Sequence, residues 1–230
     1  MKNKIKIFLQ YSLITITILF SSGCATIEGP ANPDDPFESF NRSMFAFNEG
    51  ADKYAFKPAA KGYNFIMPDF ASKGVSNFFS NIDDIVVFAN QLLQFKIAAA
   101  IATSARFVFN TTFGLLGLID VASEMDLYKH NEDFGQTLGH WGVGTGPYLV
   151  LPLLGPSNVR DGIGLYPDFV LQNYIQGDLL AQPVRATAFL FDSIDTRANT
   201  SFRYYETGSA FEYQTVRWLY STKRKLDVEK

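Results

Sequence analysis

A stretch of 26 residues from Phe134 to Val159 contains no acidic side chain, lysine or arginine, and it is long enough to cross a bilayer as a helix. Its composition argues against a helix, because it contains six glycines and three prolines. Glycine costs about 1 kcal/mol and proline about 3 kcal/mol in a helix interior, relative to alanine. The sequence therefore predicts irregular backbone between Trp141 and Pro156. This segment is either a loop that shapes a pore at membrane depth or a glycine-rich connector on the periplasmic surface.

Three alternating glycines precede a proline within this stretch, namely Gly142, Gly144, Gly146 and Pro147. Neither dinucleotide-binding nor P-loop spacing is met, and no strand-turn-helix pattern surrounds the segment. The pattern is typical of a hinge or a hairpin. We predict that these four residues form a channel loop that can change its backbone conformation.

Beyond the N-terminal leader, no other uncharged run approaches the length of a membrane span. The longest is the 13-residue run from Phe107 to Ile119, which is short of the roughly 18 to 20 residues that a span needs. The chain of 230 residues is 47% hydrophobic, so it can bury a core, and a single domain is expected. Its 22 phenylalanines and 11 tyrosines provide more aromatic surface than a small core requires.

Residues 1–23 have the organisation of a secretory signal peptide. Three lysines precede an apolar segment from Ile7 to Phe20, and Ser22-Gly23 then leads to Cys24, the only cysteine of the chain. This junction resembles the bacterial lipobox, in which the cysteine is acylated and becomes the new N-terminus. An ordinary signal peptide with an incidental cysteine is the alternative, because Ser21 stands where lipoboxes usually have leucine. Ala25, in place of aspartate, favours export to the outer membrane under the lipoprotein sorting rule.

Residues 24–36 are predicted to be the lipidated cysteine and a flexible tether, and residues 37–230 a single helical domain. The 12 residues from Ala25 to Pro36 reach at most roughly 40 Å, so the body must stay close to the membrane. Loss of Lys2, Lys4 and Lys6 with the signal lowers Lys+Arg from 20 to 17 against 23 acidic residues, which gives the mature chain a net charge of about −6. With a pI of about 5.4, the chain lacks the basic face of a nucleic-acid binder.

The first helix of the body has an apolar stripe at i, i+3, i+7 and i+10, formed by Phe37, Phe40, Met44 and Phe47. Asp35-Pro36 provides a capping carboxylate and a proline for the first turn. We predict that this helix faces the membrane, as interfacial helices do. Ordinary core packing is the alternative for any single aromatic residue.

Helical spacing continues along most of the body, so the predicted fold class is all-α. One long helical region is expected from Val75 to Phe109. The pattern returns after Arg160-Asp161, with an interruption at Pro167, and a last helix is expected from Ser209 to Lys225.

The sequence offers no residues that we assign to catalysis, to a metal or to a cofactor. His130 and His140 lack the spacing of a metal site and have no cysteine partner nearby. A hydrolase nucleophile is unsupported, because Ser157 follows Gly155-Pro156 without the second glycine of a nucleophile elbow. We therefore predict a protein that performs no bond chemistry.

Several blocks of the chain, in order and spacing, resemble the MlaA (VacJ) family of outer-membrane lipoproteins of Gram-negative bacteria. The resemblance covers most of the mature chain, from the tether to about Ala198. Its opening blocks are Asp35-Pro36-Phe37-Glu38-Ser39-Phe40-Asn41-Arg42 with Met44 and Phe47-Asn48, then Ser76-Asn77-Phe78 with Asn81, and Arg106-Phe107 with Asn110-Thr111, Gly114, Gly117 and Asp120-Val121-Ala122. The most specific block comprises Phe134-Gly135-Gln136-Thr137-Leu138-Gly139, Gly142-Val143-Gly144, Gly146-Pro147-Tyr148, Leu151-Pro152, Gly155-Pro156-Ser157 and Arg160-Asp161.

This resemblance implies a ring of amphipathic helices in the inner leaflet of the outer membrane, around a central channel that admits a phospholipid. It also implies two protein partners, a trimeric outer-membrane porin and the periplasmic lipid carrier MlaC. The expected function is removal of mislocalised phospholipid from the outer leaflet. Two alternatives remain: a structural lipoprotein that braces a porin without transport, and a lipid hydrolase in which Ser157 would be the first residue to test.

Overall fold

The computed structural model describes residues 32–33, 35–179, 182–200 and 207–230. The predicted signal peptide, Cys24 and most of the tether therefore lie outside the described residues. The described chain is mostly helical, which confirms the predicted fold class, and it contains one small sheet. The helices are α1 (Glu38–Ala51), α2 (Lys57–Ile66), α3 (Asp69–Leu93), α4 (Ile97–Thr112), α5 (Phe134–His140), α6 (Val159–Leu179), α7 (Gln182–Asn199) and α8 (Glu212–Glu229), and the strands are β1 (Tyr148–Leu151) and β2 (Gly155–Asn158).

Helices α1 and α2 form one continuous rod through a π-helical turn at Asp52–Phe56. Pro58 lies at the beginning of α2, directly after the π-helical turn. The rod ends at Met67, whose backbone is extended, as expected for a residue before Pro68.

The prediction of one long helical region from Val75 to Phe109 is wrong in one respect. The segment forms two helices with a tight turn between them. Helix α3 ends at Leu93 and α4 begins at Ile97. The turn reverses the chain because Phe95 adopts a left-handed backbone with φ of +58°. No glycine or proline marks the turn in the sequence, which is why the pattern concealed it.

The glycine-rich and proline-rich stretch folds into a short helix and a hairpin. Asp133 caps α5 by accepting a hydrogen bond from the backbone N–H of Gln136 at 2.8 Å. Strands β1 and β2 pair antiparallel, with Tyr148 opposite Asn158 and Leu151 opposite Gly155. The hairpin begins immediately after Pro147, so the glycine pattern of residues 142–146 precedes the hairpin and is not its turn.

Pro167 does not interrupt the next helix as predicted, because α6 runs from Val159 through Pro167 to Leu179. The last helix is also longer at its end than expected, since α8 reaches Glu229. A hydrophobic cluster of Met44, Tyr148, Val150 and Tyr213 joins α1, the sheet and α8.

Candidate membrane-facing surface and polar interior

The polarity of the described residues is the reverse of that in a typical water-soluble domain. Twenty polar or charged residues are buried, against eleven hydrophobic ones. At the same time, 35 large hydrophobic side chains are exposed. Isolated exposed apolar residues are normal, but contiguous apolar surface marks a site for lipid or protein. The candidate functional site is therefore the outer surface of the body together with its polar interior.

Three of the four residues predicted to face the membrane are exposed on the first helix or at its start. Phe37, Phe40 and Phe47 are 42–47% exposed. Met44 was predicted to join them, but that prediction is wrong, because its side chain is only 7% exposed and belongs to the hydrophobic cluster. The reason is geometric, since Met44 lies on the face of α1 that packs against β1 and the aromatic residues lie beside that face.

Helix α6 displays a second exposed apolar stripe. Ile163, Tyr166, Val170 and Tyr174 follow helical spacing, and all four are exposed. The end of α2 and the beginning of α3 add a third apolar surface, where Phe65, Ile66 and Phe70 are 79–90% exposed. Among the described residues, the structure contains no helix with both the length and the apolar character of a membrane span.

The interior of the α3–α4 pair is built around Arg106, which is 2% exposed. Its guanidinium donates to Asp120 at 3.0 Å, to Ser123 at 3.0 Å and to Asp84 at 3.4 Å. Lys129 donates to the other oxygen of Asp84 at 2.7 Å. Burial raises the pKa of Asp84, although Lys129 and Arg106 oppose the shift. These ion pairs and hydrogen bonds join the two helices to the loop that follows α4.

Arg224 joins three elements in a second charged cluster. Its Nη atoms donate to Asp133 at 2.7 and 2.9 Å, and its Nε donates to Asp161 at 2.7 Å. Tyr220, one turn earlier on α8, donates its hydroxyl to the same carboxylate of Asp161 at 2.8 Å. A Cβ atom at Gly135 would lie 2.6 Å from Asp161 Oδ1, so only glycine lets this carboxylate approach α5.

The arginine determines the protonation of both carboxylates in this cluster. Burial alone would raise the pKa of Asp161, but hydrogen bonds and charge from Arg224 outweigh it and hold the pKa below its ordinary value. The same balance lowers the pKa of Asp133. Arg224 lies between Lys223 and Lys225 in the sequence, but its side chain is buried and belongs to the interior.

Two asparagines of α1 complete the free edge of the hairpin. The amide of Asn41 accepts from the N–H of Val150 at 2.8 Å and donates to the carbonyl of Tyr148 at 3.1 Å. Two turns later, Asn48 accepts from the N–H of Leu153 at 2.7 Å and donates to a carbonyl at the end of β1. The amides thus occupy the positions that a third strand would otherwise take. We call this arrangement the asparagine clamp.

The first glycine of the predicted channel loop terminates a helix. Gly142 has a left-handed backbone with φ of +86°, and its N–H donates to the carbonyl of Gly139 at 2.9 Å. The N–H of Val143 donates to the carbonyl of Leu138 at 2.9 Å. These two bonds form a Schellman motif, the common way to end a helix at glycine.

The end of the loop is fixed to the start of α6. The carbonyl of Pro147 accepts from the N–H of Val159, and the carbonyl of Thr145 accepts from the N–H of Arg160, both at 3.1 Å. Gly146 has φ of +65°, and a Cβ there would lie 3.1 Å from Val159 Cβ.

Between these two fixed points, Gly144 lies in open space. A Cβ atom at Gly144 would meet no described atom within 4 Å, and its backbone is not left-handed. Gly142, Gly144, Gly146 and Pro147 are all exposed. The structure thus places the predicted loop at the surface, and a hinge motion there stays a prediction.

Two buried polar side chains of the α3–α4 pair have no hydrogen-bond partner among the described residues. Both amide atoms of Gln91 are unpaired although the residue is 0% exposed, and the hydroxyl of Thr103 is likewise unpaired. Leaving a buried polar group unpaired costs about 1–3 kcal/mol. Such groups are therefore candidates for contact with a polar ligand or with water.

The described residues also bear on the hydrolase alternative. Ser157 lies on β2, is buried, and donates its hydroxyl to the backbone carbonyl of Asn158 at 3.2 Å. A neutral carbonyl does not activate a serine as a nucleophile. Both histidines are exposed, and no group of acidic, histidine or cysteine residues that could hold a metal occurs in the described part of the chain.

Sequence reasoning missed the asparagine clamp and the buried polar network. A signal was present, because the buried residues of α3 include Asn81, Asp84 and Gln91 at helical spacing. Polar residues at helical spacing indicate a buried stripe if the rest of the helix surface is apolar. The usual interpretation places such residues on a face exposed to solvent.

The chain is similar to known proteins over most of its length. The family model described as MlaA lipoprotein matches residues 33–227. An uncharacterised protein of Rickettsia bellii is 34% identical, over 90% of this chain and 82% of its own. The intermembrane phospholipid transport system lipoprotein MlaA of Escherichia coli is 33% identical, over 83% of this chain and 76% of its own. A solved chain, from work described as the structural basis for maintenance of bacterial outer membrane lipid asymmetry, matches with a TM-score of 0.71 and 33% identity, over 84% of this chain and 98% of that one.

Proposed function

The chain belongs to the MlaA lipoprotein family, and from this premise we propose that it removes mislocalised phospholipid from the outer leaflet of the outer membrane. The similar Escherichia coli protein is a lipoprotein of an intermembrane phospholipid transport system. The similar solved chain is associated with maintenance of outer membrane lipid asymmetry. In this proposal the protein is an outer-membrane lipoprotein, and it works as a passive conduit rather than as an enzyme.

The observation that supports the proposal most strongly is the reversed polarity of the body. An apolar exterior matches the acyl chains of a leaflet, and a polar interior matches a lipid headgroup. A phospholipid could move along such a body with its tails in apolar surroundings, and no bond would need to break. We propose that the helices form a ring around a central channel, embedded in the periplasmic leaflet.

The unpaired polar groups of Gln91 and Thr103 support a polar route through the interior. A headgroup presents phosphate oxygens that accept hydrogen bonds, and the Gln91 amide can donate to such an acceptor. Passage of the headgroup would then offset the cost of leaving that amide unpaired. The glycine-rich loop, and Gly144 in particular, would open and close this route.

Attachment to the membrane is assigned to Cys24 and to the apolar exterior. Several acyl chains on Cys24 would anchor the mature protein stably, since each buried methylene contributes about 0.8 kcal/mol. Phe37, Phe40 and Phe47 are the residues of the first helix that we propose to contact lipid, and Met44 is not among them.

Two protein partners belong to the proposal as well. A trimeric porin would hold the body at its place in the outer membrane, and the periplasmic carrier MlaC would accept the lipid. Direction of transport would then come from the carrier and the system that it serves, since the conduit itself consumes no energy.

A reporter of surface phospholipid, such as acylation of lipid A, tests the proposal in a deletion strain. The strain is complemented with the wild type or with Cys24→Ala, and the amount of protein in the membrane fraction is measured alongside. Deletion should raise surface phospholipid, and only the acylated wild type should lower it again. An unchanged leaflet on deletion would instead favour a structural lipoprotein that braces a porin.

A further inference from the structure

The rod formed by α1 and α2 contains one irregular segment, the π-helical turn at Asp52–Phe56. The N–H of Lys57 donates to the carbonyl of Asp52, which lies five residues earlier rather than four. Pro58 follows directly and has no N–H for the carbonyl of Tyr54, its i−4 neighbour. The rod is therefore continuous, but its regular hydrogen-bond ladder is interrupted at this turn.

The π-helical turn is also poorly packed, although the helices on both sides of it are firmly held. None of its five residues is buried, and Tyr54 is 77% exposed. Before the turn, α1 is fixed to the hairpin by the asparagine clamp. After the turn, Tyr63 of α2 donates its hydroxyl to Asp195 of α7 at 2.5 Å, and its ring lies 5.6 Å from that of Phe191. The turn thus lies between two parts of the body that different contacts hold together.

The end of α7 is joined to α3 as well as to α2. The hydroxyl of Ser76 donates to Asp195 at 2.5 Å, and the amide of Asn199 donates to Ser76 at 3.1 Å and to Ser72 at 3.2 Å. These contacts lie in the first two turns of α3, which can therefore act as a second pivot. We call α2 with α7 the α7 unit, and α1 with the hairpin the hairpin unit.

One ion pair joins α7 to the π-helical turn itself. Arg197 donates from its Nε and from one Nη atom to the two carboxylate oxygens of Asp52, the second of these bonds at 2.8 Å. The two side chains are mostly buried, with 18% and 21% exposed. A bidentate pair of guanidinium and carboxylate fixes orientation as well as distance. The pair therefore fixes the first residue of the turn to the helix that packs beside α2.

From these observations we infer that the π-helical turn is a hinge in the wall of the proposed conduit, and that the Asp52–Arg197 ion pair is the latch that holds it closed. This inference rests on the proposed function and is separate from the glycine-rich loop. Single π-helical turns are frequent at functional sites, and a hinge needs only a few residues that absorb changes of φ and ψ. Release of the latch moves the α7 unit away from the hairpin unit and opens the side of the conduit. Helix α1 is about 21 Å long, so a bend of about 20° displaces its far end by about 7 Å.

Distances between pairs of spin labels test the hinge in the mature, acylated protein. Leu190→Cys on α7 is paired in turn with Ala46→Cys on α1 and with Leu154→Cys at the hairpin turn, and all three positions are exposed. The only native cysteine is Cys24, so its acylation leaves two free thiols in each variant. The pair 46 and 154 is the internal control, because both labels belong to the hairpin unit. The protein is reconstituted without partner proteins in vesicles of phosphatidylethanolamine and phosphatidylglycerol, and the distances are measured by pulsed electron paramagnetic resonance.

Asp52→Asn should shift or broaden the two distances that end at residue 190 by up to about 7 Å, the displacement expected for a bend of about 20°, and leave the distance between 46 and 154 unchanged. The charge exchange Asp52→Arg with Arg197→Asp should restore the original distances. Glu38→Gln, which breaks an i,i+4 ion pair on α1, should change none of them. Three unchanged distances in Asp52→Asn would overturn the inference, and so would an equal change within the hairpin unit.

Hydrogen exchange of the unsubstituted protein tests the hinge even if Asp52→Asn fails to fold. The amides of residues 53–57 should exchange about tenfold faster than those in the middle of α2, because local opening starts where packing and hydrogen bonding are weakest. Equally slow exchange in the two segments would contradict a hinge. Neither measurement involves a transport partner, so the result does not depend on whether deletion of the gene alters leaflet asymmetry.

Discussion

Removal of the Arg224 guanidinium is expected to destabilise the body by about 3–5 kcal/mol, the usual loss when one partner of a buried ion pair is removed. Arg224→Met keeps most of the side-chain volume and leaves Asp133 and Asp161 without their shared donor. Unfolding of the mature protein in detergent micelles measures the effect. Lys223→Met is the control, because Lys223 is exposed and its partner Asp227 is an i+4 neighbour, so this change should stay within about 0.5 kcal/mol.

The same cluster predicts a loss of stability in acid. The pKa of Asp133 and the pKa of Asp161 are both lower in the folded protein than the ordinary value of 3.8. Their contribution is therefore fully present above pH 3.8 and is lost as the pH falls through the lowered pKa values. Asp161→Asn should lower stability at neutral pH and flatten the acid limb of the stability profile. An unchanged acid limb would show that other carboxylates control the acid transition.

Arg224 also shows that the partners of a single buried charge cannot be predicted from the sequence. Its partners are 91 and 63 residues away along the chain, and no spacing rule connects them. In the sequence, Arg224 lies between two lysines near a helix end, where a cation also has the simple explanation of the helix dipole. Gly142 is the opposite case, because a helix followed by glycine indicates a left-handed C-terminal cap from local sequence alone.

At the scale of elements, the asparagine clamp predicts that the free energy of unfolding depends strongly on the Asn41 amide. Asn41→Asp keeps the shape of the side chain and the acceptor for Val150, but it removes the donor to Tyr148 and puts a second carboxylate beside Asp35. A buried acceptor without its donor costs about 1–3 kcal/mol, and repulsion between the two carboxylates adds to it. We expect a loss of about 3 kcal/mol in unfolding free energy in micelles.

A matched substitution on an exposed surface distinguishes the loss of the clamp's hydrogen bonds from a general effect of added charge. Asn64→Asp alters the exposed face of α2 in the same chemical way. It should change unfolding by no more than about 0.5 kcal/mol. Equal losses from the two variants would contradict the assignment of Asn41 to the hairpin edge.

The glycine-rich loop gives a prediction about transport rather than stability. Gly144→Pro should impair phospholipid removal while the protein stays folded at the membrane, because proline fixes φ between the two fixed ends of the proposed hinge loop. Gly144→Ala is the control, since its Cβ would meet no described atom within 4 Å and its backbone is not left-handed. Lipid A acylation in the complemented deletion strain measures both variants. Normal transport by the proline variant would rule out the hinge.

The sequence predicted most helices correctly, because periodicity is a property of short segments. It failed where a tertiary contact decided the outcome. The break between α3 and α4 depends on a left-handed Phe95 that other elements hold in place, and no residue preference indicates it. Conversely, Pro167 suggested a break, but α6 continues through it.

At the scale of the whole molecule, periodicity identifies an apolar face but does not say whether that face points inward. In α1 the buried positions include two asparagines, while three phenylalanines at or near the same helix are exposed. If the protein is assumed to be surrounded by water, the phenylalanines are predicted to be buried and the asparagines to be exposed, which is the opposite of the structure. Only the assembled body shows that many polar residues are inside, and this property is the basis of the proposed contact with lipid.

The reversed polarity predicts which aromatic side chains are shielded in a membrane. Tyr166 on α6 and Tyr128 in the loop before α5 are similarly exposed, at 73% and 65%. Tyr166 belongs to an apolar stripe, whereas Tyr128 donates to Asp126 and is followed by Lys129 and His130. Because water is the main source of hydroxyl radicals, oxidative footprinting in vesicles should protect Tyr166 strongly and leave Tyr128 reactive. In the denatured chain the two should react alike, so equal labelling in vesicles would contradict the proposal that the apolar surface contacts lipid.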